Sequence, residues 1–137
     1  MARSRIVPGA HLEEGEQIAF FQWVRLQQNV WPELRLIHHI PNGGHRTKTT
    51  AMRMKAMGVL PGVLDIFLPV PRHGWHGLYI EMKSKDGKLT EAQESFGSAV
   101  ANQGYAVFLC RTFEQAKSVV ARYLFGDTPP EGGEWVH

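Results

Sequence analysis

Two short apolar segments carry charges in places where strands resist them. Val63-Leu64-Asp65-Ile66-Phe67-Leu68 holds an Asp among apolar residues, and after a hairpin-sized gap Leu78-Tyr79-Ile80-Glu81-Met82-Lys83 holds Glu and Lys two positions apart. Strands deplete Asp, and a carboxylate buried among apolar groups without a partner is costly. A divalent cation is the natural compensation, because hard cations take oxygen ligands. A hairpin centred on His73 sets Asp65 opposite Glu81 and Phe67 opposite Tyr79. Directly opposed side chains have Cβ atoms about 4.5–5.5 Å apart, close enough for two carboxylates to share one ion. Side chains alternate between faces. Asp65, Tyr79, Glu81 and Lys83 then share one face, and Leu64, Ile66, Leu68, Leu78, Ile80 and Met82 form an apolar face opposite. The register carries this argument, since a slip of one residue would put Asp65 and Glu81 on opposite faces.

Around this pair the chain reads as alternating helices and strands. Residues 13–30 are expected to be a helix, with Ile18, Phe21, Trp23, Val24 and Leu26 in a broad apolar stripe. Trp31-Pro32 ends it, because the residue before Pro avoids helical geometry. Leu34 to Ile40 reads as a strand closed by the turn Pro41-Asn42-Gly43-Gly44, and Thr47 to Met57 as a helix with Gly58 after it. Past the hairpin, Asp86-Gly87 signals a turn, Thr90 is the expected N-cap of a helix to Gln103, and Gly104 stops it. Tyr105 to Cys110 is an apolar strand, and Thr112 caps a last helix to Phe125. A helix between two strands suggests a parallel crossover, so a mixed sheet is expected. The expected division is an N-terminal arm over 1–12, one domain over 13–125 and a mobile tail over 126–137 that lacks core signals.

The chain's 137 residues suit one domain, and 43% hydrophobic with 20% charged residues is the balance of a soluble globular protein. No apolar run has the length of a membrane span, and Met1-Ala2-Arg3-Ser4-Arg5 is not followed by the apolar core of a signal peptide. A single Cys excludes an internal disulfide and fits a reducing, cytoplasmic compartment. Cys110 reads as a small core residue. No carboxylate occurs between Glu33 and Asp65, a stretch holding Arg35, His38, His39, His45, Arg46, Lys48, Arg53 and Lys55. Arg72, Lys83, Lys85 and Lys88 form a second basic group around the proposed site. Clustered positive charge beside paired carboxylates points to a polyanionic partner that is contacted through its phosphates. The seven His residues do not form a zinc pattern: His38 and His39 are adjacent in a strand and point apart, His73 and His76 lie in a turn, and no HExxH occurs. The Trp residues read mostly as packing, though Trp75 at the hairpin tip could stack on a base.

The order of these motifs resembles the PD-(D/E)xK nuclease superfamily, in which a metal-binding Asp precedes an acidic-x-Lys strand. Five features carry a closer likeness: Glu16 in the first helix, Ile40-Pro41-Asn42-Gly43-Gly44-His45-Arg46, Gly58-Val59-Leu60-Pro61-Gly62-Val63-Leu64-Asp65, Gly87-Lys88-Leu89-Thr90-Glu91-Ala92-Gln93 and Gly104-Tyr105-Ala106-Val107. Together they resemble a stand-alone VRR-NUC domain, of the kind found in phages and at the C-terminus of the Fanconi-associated nuclease, over residues 13–125. Leu64 stands where that family often has Pro.

The resemblance implies an α/β fold of restriction-endonuclease type, an αβββαβ core whose mixed sheet is flanked by helices, with the Thr47–Met57 helix as an insertion. It implies Mg²⁺ or Mn²⁺ as cofactor, with the backbone carbonyl of Met82 joining Asp65 and Glu81 as a ligand and Glu16 adding a ligand or holding a metal-bound water. It makes Gln93 a substrate- or water-positioning residue. It brings the backbone of Asn42, Gly43 and Gly44 to a phosphate, with His45 and Arg46 facing the same groove.

The chemistry of phosphodiester hydrolysis agrees. It needs water activated near neutral pH, charge neutralised on the phosphoryl oxygens and a stabilised leaving group, all of which a divalent ion supports. Lys83, on the same face, would orient or deprotonate the water and contact the phosphate. The expectation is a metal-dependent endonuclease acting on DNA, selective for branched or four-way-junction structure. A homodimer would present two sites, because Phe20, Phe21, Trp23, Val24, Leu26, Val30, Trp31 and three Met residues are more apolar surface than a small sheet covers. Two alternatives stay open: a nucleic-acid-binding module with this fold and no turnover, and a nuclease directed at RNA.

Overall fold

A computed structural model describes residues 10–41 and 46–130, with side chains from Glu13 onward within them. Asn42, Gly43 and Gly44 of the expected turn, with His45, most of the expected N-terminal arm and the last seven residues of the expected tail, lie outside the described residues.

Helix α1 spans Ala10–Gln27. It buries Phe20 and Val24 in the main core, with Phe21, Trp23 and the following Trp31 packed partly buried against it, while Leu26 and Val30 stay exposed. Much of the apolar surface that suggested an interface is therefore core. The strand expected over 34–40 is shorter than its apolar pattern suggests. Pro32 suits the first position of a helical turn, and a 3₁₀ helix forms over Pro32–Arg35. Its amides bond three residues back, Leu34 N–H to the Trp31 carbonyl at 3.0 Å and Leu36 N–H to that of Glu33 at 3.1 Å. Only His38–His39 remain as strand β1.

Helix α2, Lys48–Ala56, is capped by Thr47, whose hydroxyl accepts from the Thr50 amide at 3.1 Å. None of its residues is buried. Strands β2 (Ile66–Leu68) and β3 (Leu78–Met82), helix α3 (Glu91–Asn102), strand β4 (Ala106–Cys110) and helix α4 (Phe113–Phe125) follow. The sheet order is β1-β2-β3-β4. The first two pairings are antiparallel and β3–β4 is parallel, as the α3 crossover requires. Pairing of Ile66 with Ile80, Phe67 with Tyr79 and Leu68 with Leu78 is the register of a hairpin centred on His73. The tip is a two-residue turn, His73 at φ 54° and Gly74 at φ 84°, as a type I′ hairpin turn demands of both central residues.

Both sheet faces are covered. Ile66, Leu68, Leu78, Ile80 and Met82 join Phe108, Val120 and Tyr123 in the main core beneath α1 and α4. On the other face Leu64, Val107 and Leu109 pack with Tyr79, Leu89 and Phe96 under α3. Leu64 thus lies on the opposite face from the one expected. The chain bends at Asp65, just before β2, so strict alternation does not reach back to it. Trp75 is also not a free stacking surface: its ring stacks on Tyr123 at 6.2 Å and meets Phe108 edge-on. Arg72 sits at the hairpin tip, away from the carboxylates, paired with Glu33 at 2.9 Å. Cys110 is buried, and burial pushes its thiol up to about 12, as expected of a core residue. Among the described residues no helix is long and apolar enough to cross a membrane.

Candidate active site

The hairpin register brings Asp65 and Glu81 side by side, and their backbones lock them together. The Asp65 amide donates to Glu81 Oε1 at 3.0 Å, and the Met82 amide donates to Asp65 Oδ2 at 2.9 Å. Each carboxylate thus satisfies a backbone donor of the other strand at the place where ladder bonding gives way to side chains. The Ile40 amide in turn holds the Asp65 carbonyl at 2.7 Å, and His39 Nδ1 lies 2.8 Å from the same oxygen.

Glu81 is 1% exposed, the one buried charged side chain among the described residues. Burial first, then the negative charge of Asp65, push its carboxyl up to about 8, against an opposing pull from Lys83. Lys83 Nζ lies 3.6 Å from Glu81 Oε2. Gln93 completes the setting. Its side-chain oxygen accepts from the Thr90 amide at 2.9 Å, and its backbone amide donates to Thr90 Oγ1 at 3.1 Å, a capping box that opens α3. With the oxygen so committed, the NH₂ group faces Glu81 and donates to Oε2 at 3.0 Å. The cap therefore sets the orientation of the amide that the site uses. Gly62, at φ 89°, passes so close to this end of α3 that a Cβ there would stand 2.3 Å from the Ala92 carbonyl oxygen. Only glycine fits that crossing.

Glu16 is elsewhere. Its Oε2 accepts from the Phe113 amide at 2.6 Å. It satisfies an orphan donor at the first turn of α4, where negative charge is favoured. A helix carboxylate beside Lys83 and Asp65, which the sequence pattern did not single out, is Glu13. Burial raises its pKa first, Lys83 and Asp65 are its strongest charged neighbours, and the Ser84 backbone hydrogen-bonds to it. Glu13 lies seven residues before Phe20, on the buried stripe of α1, but Glu16, four residues before Phe20, lies on that stripe too, so spacing does not choose between them.

The basic residues divide into two groups. Lys85 and Lys88 are exposed on the turn that follows Lys83. The Arg111 guanidinium braces that turn, donating to the carbonyls of Ser84, Lys85 and Gly87. Lys48, Arg53 and Lys55 are exposed along α2, and Arg46 precedes that helix half-buried.

Among the described residues no group of three or more His, Cys, Asp or Glu side chains gathers into a metal cage. The pair Asp65 and Glu81 nevertheless fits a hard dication of the kind held by one or two carboxylates and several waters. Two carboxylates are locked together here with only Lys83 as a cation beside them, and the raised pKa of Glu81 shows that one amine does not offset its burial and the Asp65 charge. Each carboxylate also keeps lone pairs beyond those its backbone partner uses.

This geometry defines an α/β domain with an acidic, lysine-flanked site at the end of a β-hairpin. The sequence model of the VRR-NUC domain matches residues 3–114. The chain belongs to the VRR-NUC family, a family of nuclease domains. A solved structure described as a VRR_NUC domain protein is similar over 82% of this chain and 87% of that one, at a TM-score of 0.69 and 27% identity. No curated protein matches the chain.

Proposed function

We propose that the protein is a metal-dependent endonuclease of PD-(D/E)xK type that hydrolyses DNA phosphodiester bonds. The observation that carries this reading is the locked Asp65–Glu81 pair with Lys83 beside it, two carboxyl groups, one of them buried, flanked by one amine. Asp65, Glu81 and the Met82 carbonyl would hold Mg²⁺ or Mn²⁺, with Glu13 at the edge of that shell in the role the resemblance gives to Glu16. The ion would supply Lewis-acid stabilisation of charge on the phosphoryl oxygens and acidify water. Lys83 orients the attacking water and holds a phosphoryl oxygen. Gln93 keeps Glu81 aimed, and its NH₂ retains a second proton for a water or phosphate. Arg46, Lys48, Arg53, Lys55, Lys85 and Lys88 contact flanking phosphates, and the resemblance adds Asn42, Gly43, Gly44 and His45 to them.

A domain of this size offers one such site, so symmetric cleavage of a branched or four-way substrate calls for a homodimer. The test is incubation of the purified chain with linear duplex, flap, splayed-arm and four-way-junction DNA, and with RNA counterparts, in Mg²⁺, Mn²⁺ or chelator. Cleavage that requires metal and spares RNA is the expected result. Chelator-resistant cutting removes the metal reading, and binding to every substrate without cutting makes this a binding module. Neutralising Arg53 and Lys55 should lower the log–log salt slope of binding by about 0.9 for each phosphate that is no longer neutralised. An unchanged slope makes α2 a solvated face.

A further inference from the structure

Strand β3 ends at Met82 and α3 opens at Glu91. Between them Lys83 leads into a turn from Ser84 to Gly87, none of whose residues is buried. Segments with few buried contacts open at low free energy, so this turn needs polar bonds to keep one shape. It closes on itself through the Gly87 amide, which donates to the Ser84 carbonyl at 3.1 Å. Other parts of the fold add to this. The Lys83 amide donates to the Cys110 carbonyl of β4 at 3.0 Å. The Ser84 backbone bonds to Glu13 of α1. Arg111 Nη1 donates to the carbonyls of Ser84, of Lys85 at 3.1 Å and of Gly87 at 2.8 Å. Arg111 follows β4 directly, and its own amide donates to Gln115 Oε1 at 2.7 Å in the first turn of α4.

We infer that Arg111 is a positioning residue for Lys83: it holds the turn that begins at the next residue, and so fixes where the lysine amine stands, without touching substrate. Carbonyl oxygens are partly negative, and their convergence on one point calls for a cationic donor there. A guanidinium is always charged and presents its donors in a rigid plane. Hydrogen bonds from a charged donor are about twice as strong as neutral ones. Lys83 gets little aim from its partner. Its Nζ stands 3.6 Å from Glu81 Oε2, beyond hydrogen-bond reach, at the end of a flexible stem. The course of the backbone then sets the place of the amine. A displacement of about 1 Å in a reacting geometry can cost about 10²-fold in rate. The inference rests on the nuclease reading for the task of Lys83; the hold of Arg111 on the turn does not.

The test separates the two. Amide hydrogen exchange of the full chain, followed by NMR without substrate, reads the hold. In Arg111→Ala the hydrogen-bonded amides of Ser84 and Gly87 should exchange about tenfold faster or more, with those of β3 unchanged. Methylguanidinium added to that variant should slow them again. Cleavage of DNA in Mg²⁺ reads the consequence. Arg111→Ala should lose about tenfold or more in kcat at unchanged KM. Methylguanidinium should restore part of that loss and should not rescue Lys83→Ala. Arg111→Gln, closer in volume, carries the same expectations and serves where Arg111→Ala does not fold. An unchanged kcat overturns the inference, and a raised KM beside it makes Arg111 a substrate contact. Exchange that the substitutions leave untouched overturns it as well. If wild type cuts no DNA, while exchange rises in the variant and methylguanidinium reverses it, the nuclease reading falls and the hold on the turn stands.

Discussion

Alternate residues of one five-residue strand live in two chemistries. Leu78, Ile80 and Met82 face the main core, none more than 1% exposed. Tyr79 and Glu81 face α3, and Glu81 is as buried as its neighbours. Burial of the first set removes apolar surface from water and stabilises the fold. Burial of Glu81 does the reverse for its charged form, and its carboxyl rises to about 8 as a result. Equal burial thus supports stability on one face and creates a demand for a cation on the other. Nothing about exposure alone distinguishes them; the partners do.

The sharpest way to break this contrast is at Lys83. If the α3-facing side is the reacting face, Lys83→Ala should lower metal-dependent cleavage by about 10²–10⁴, the usual worth of a positioned proton-transfer group. DNA binding should hardly change, since one positive charge among many is removed. Single-turnover cleavage within tenfold of wild type would take Lys83 out of the chemistry. On the opposite face the effect should be on stability instead. Ile80→Ala should cost about 2–5 kcal/mol in denaturant unfolding, as buried large-to-small changes do. Below its unfolding transition that variant should still cleave.

The pH response sharpens the contrast further. In the folded, metal-free chain Glu81 keeps its proton up to about pH 8, whereas its ordinary value is 4.5. Between these values the folded state holds the extra proton, so the contribution of Glu81 to stability falls as pH rises through the window. Glu81→Gln should flatten that slope and raise the apo melting temperature at pH 8. A melting temperature with the same pH dependence in both proteins would mean that Glu81 is not perturbed. The smallest effect is expected at Gln93. Gln93→Ala loses half of the capping box and one hydrogen bond to Glu81, about 1 kcal/mol of stability. Its larger consequence should be a lower cleavage rate at unchanged substrate affinity, because Glu81 loses its guide.

Local signals were legible wherever the physics is local. Thr90 and Thr112, the two expected caps, each sit before a helix and each accepts the amide three residues on, and Thr47, expected inside its helix, does the same. The mixed sheet, with α3 as its crossover, followed from the element order. The register assumed for the hairpin, centred on His73, is the one the strands adopt, and it brings Asp65 beside Glu81. Failures came where a neighbour outranked the local pattern. The strand expected over 34–40 keeps only His38–His39 as strand, because Pro32 favours a helical turn and the 3₁₀ helix it opens runs to Arg35. Leu64 turned to the other face because Asp65 gives its amide to Glu81 and leaves the ladder. Trp75 found Tyr123.

What the sequence determined by itself was therefore the periodic part: which segments form helices and strands, where they are capped, and which two carboxylates and which lysine share a face. These depend on interactions a few residues apart or across one tight hairpin. The choice between Glu13 and Glu16 could not be made that way. They lie one turn apart on the same helix, with the same charge and nearly the same direction. Only the packing of α1 against α4 gives Glu16 the Phe113 amide, 97 residues away, and sends Glu13 to Lys83 and Asp65. Long-range packing decides which charge meets which partner, because a carboxylate goes to the donor or cation that the assembled fold leaves within its reach.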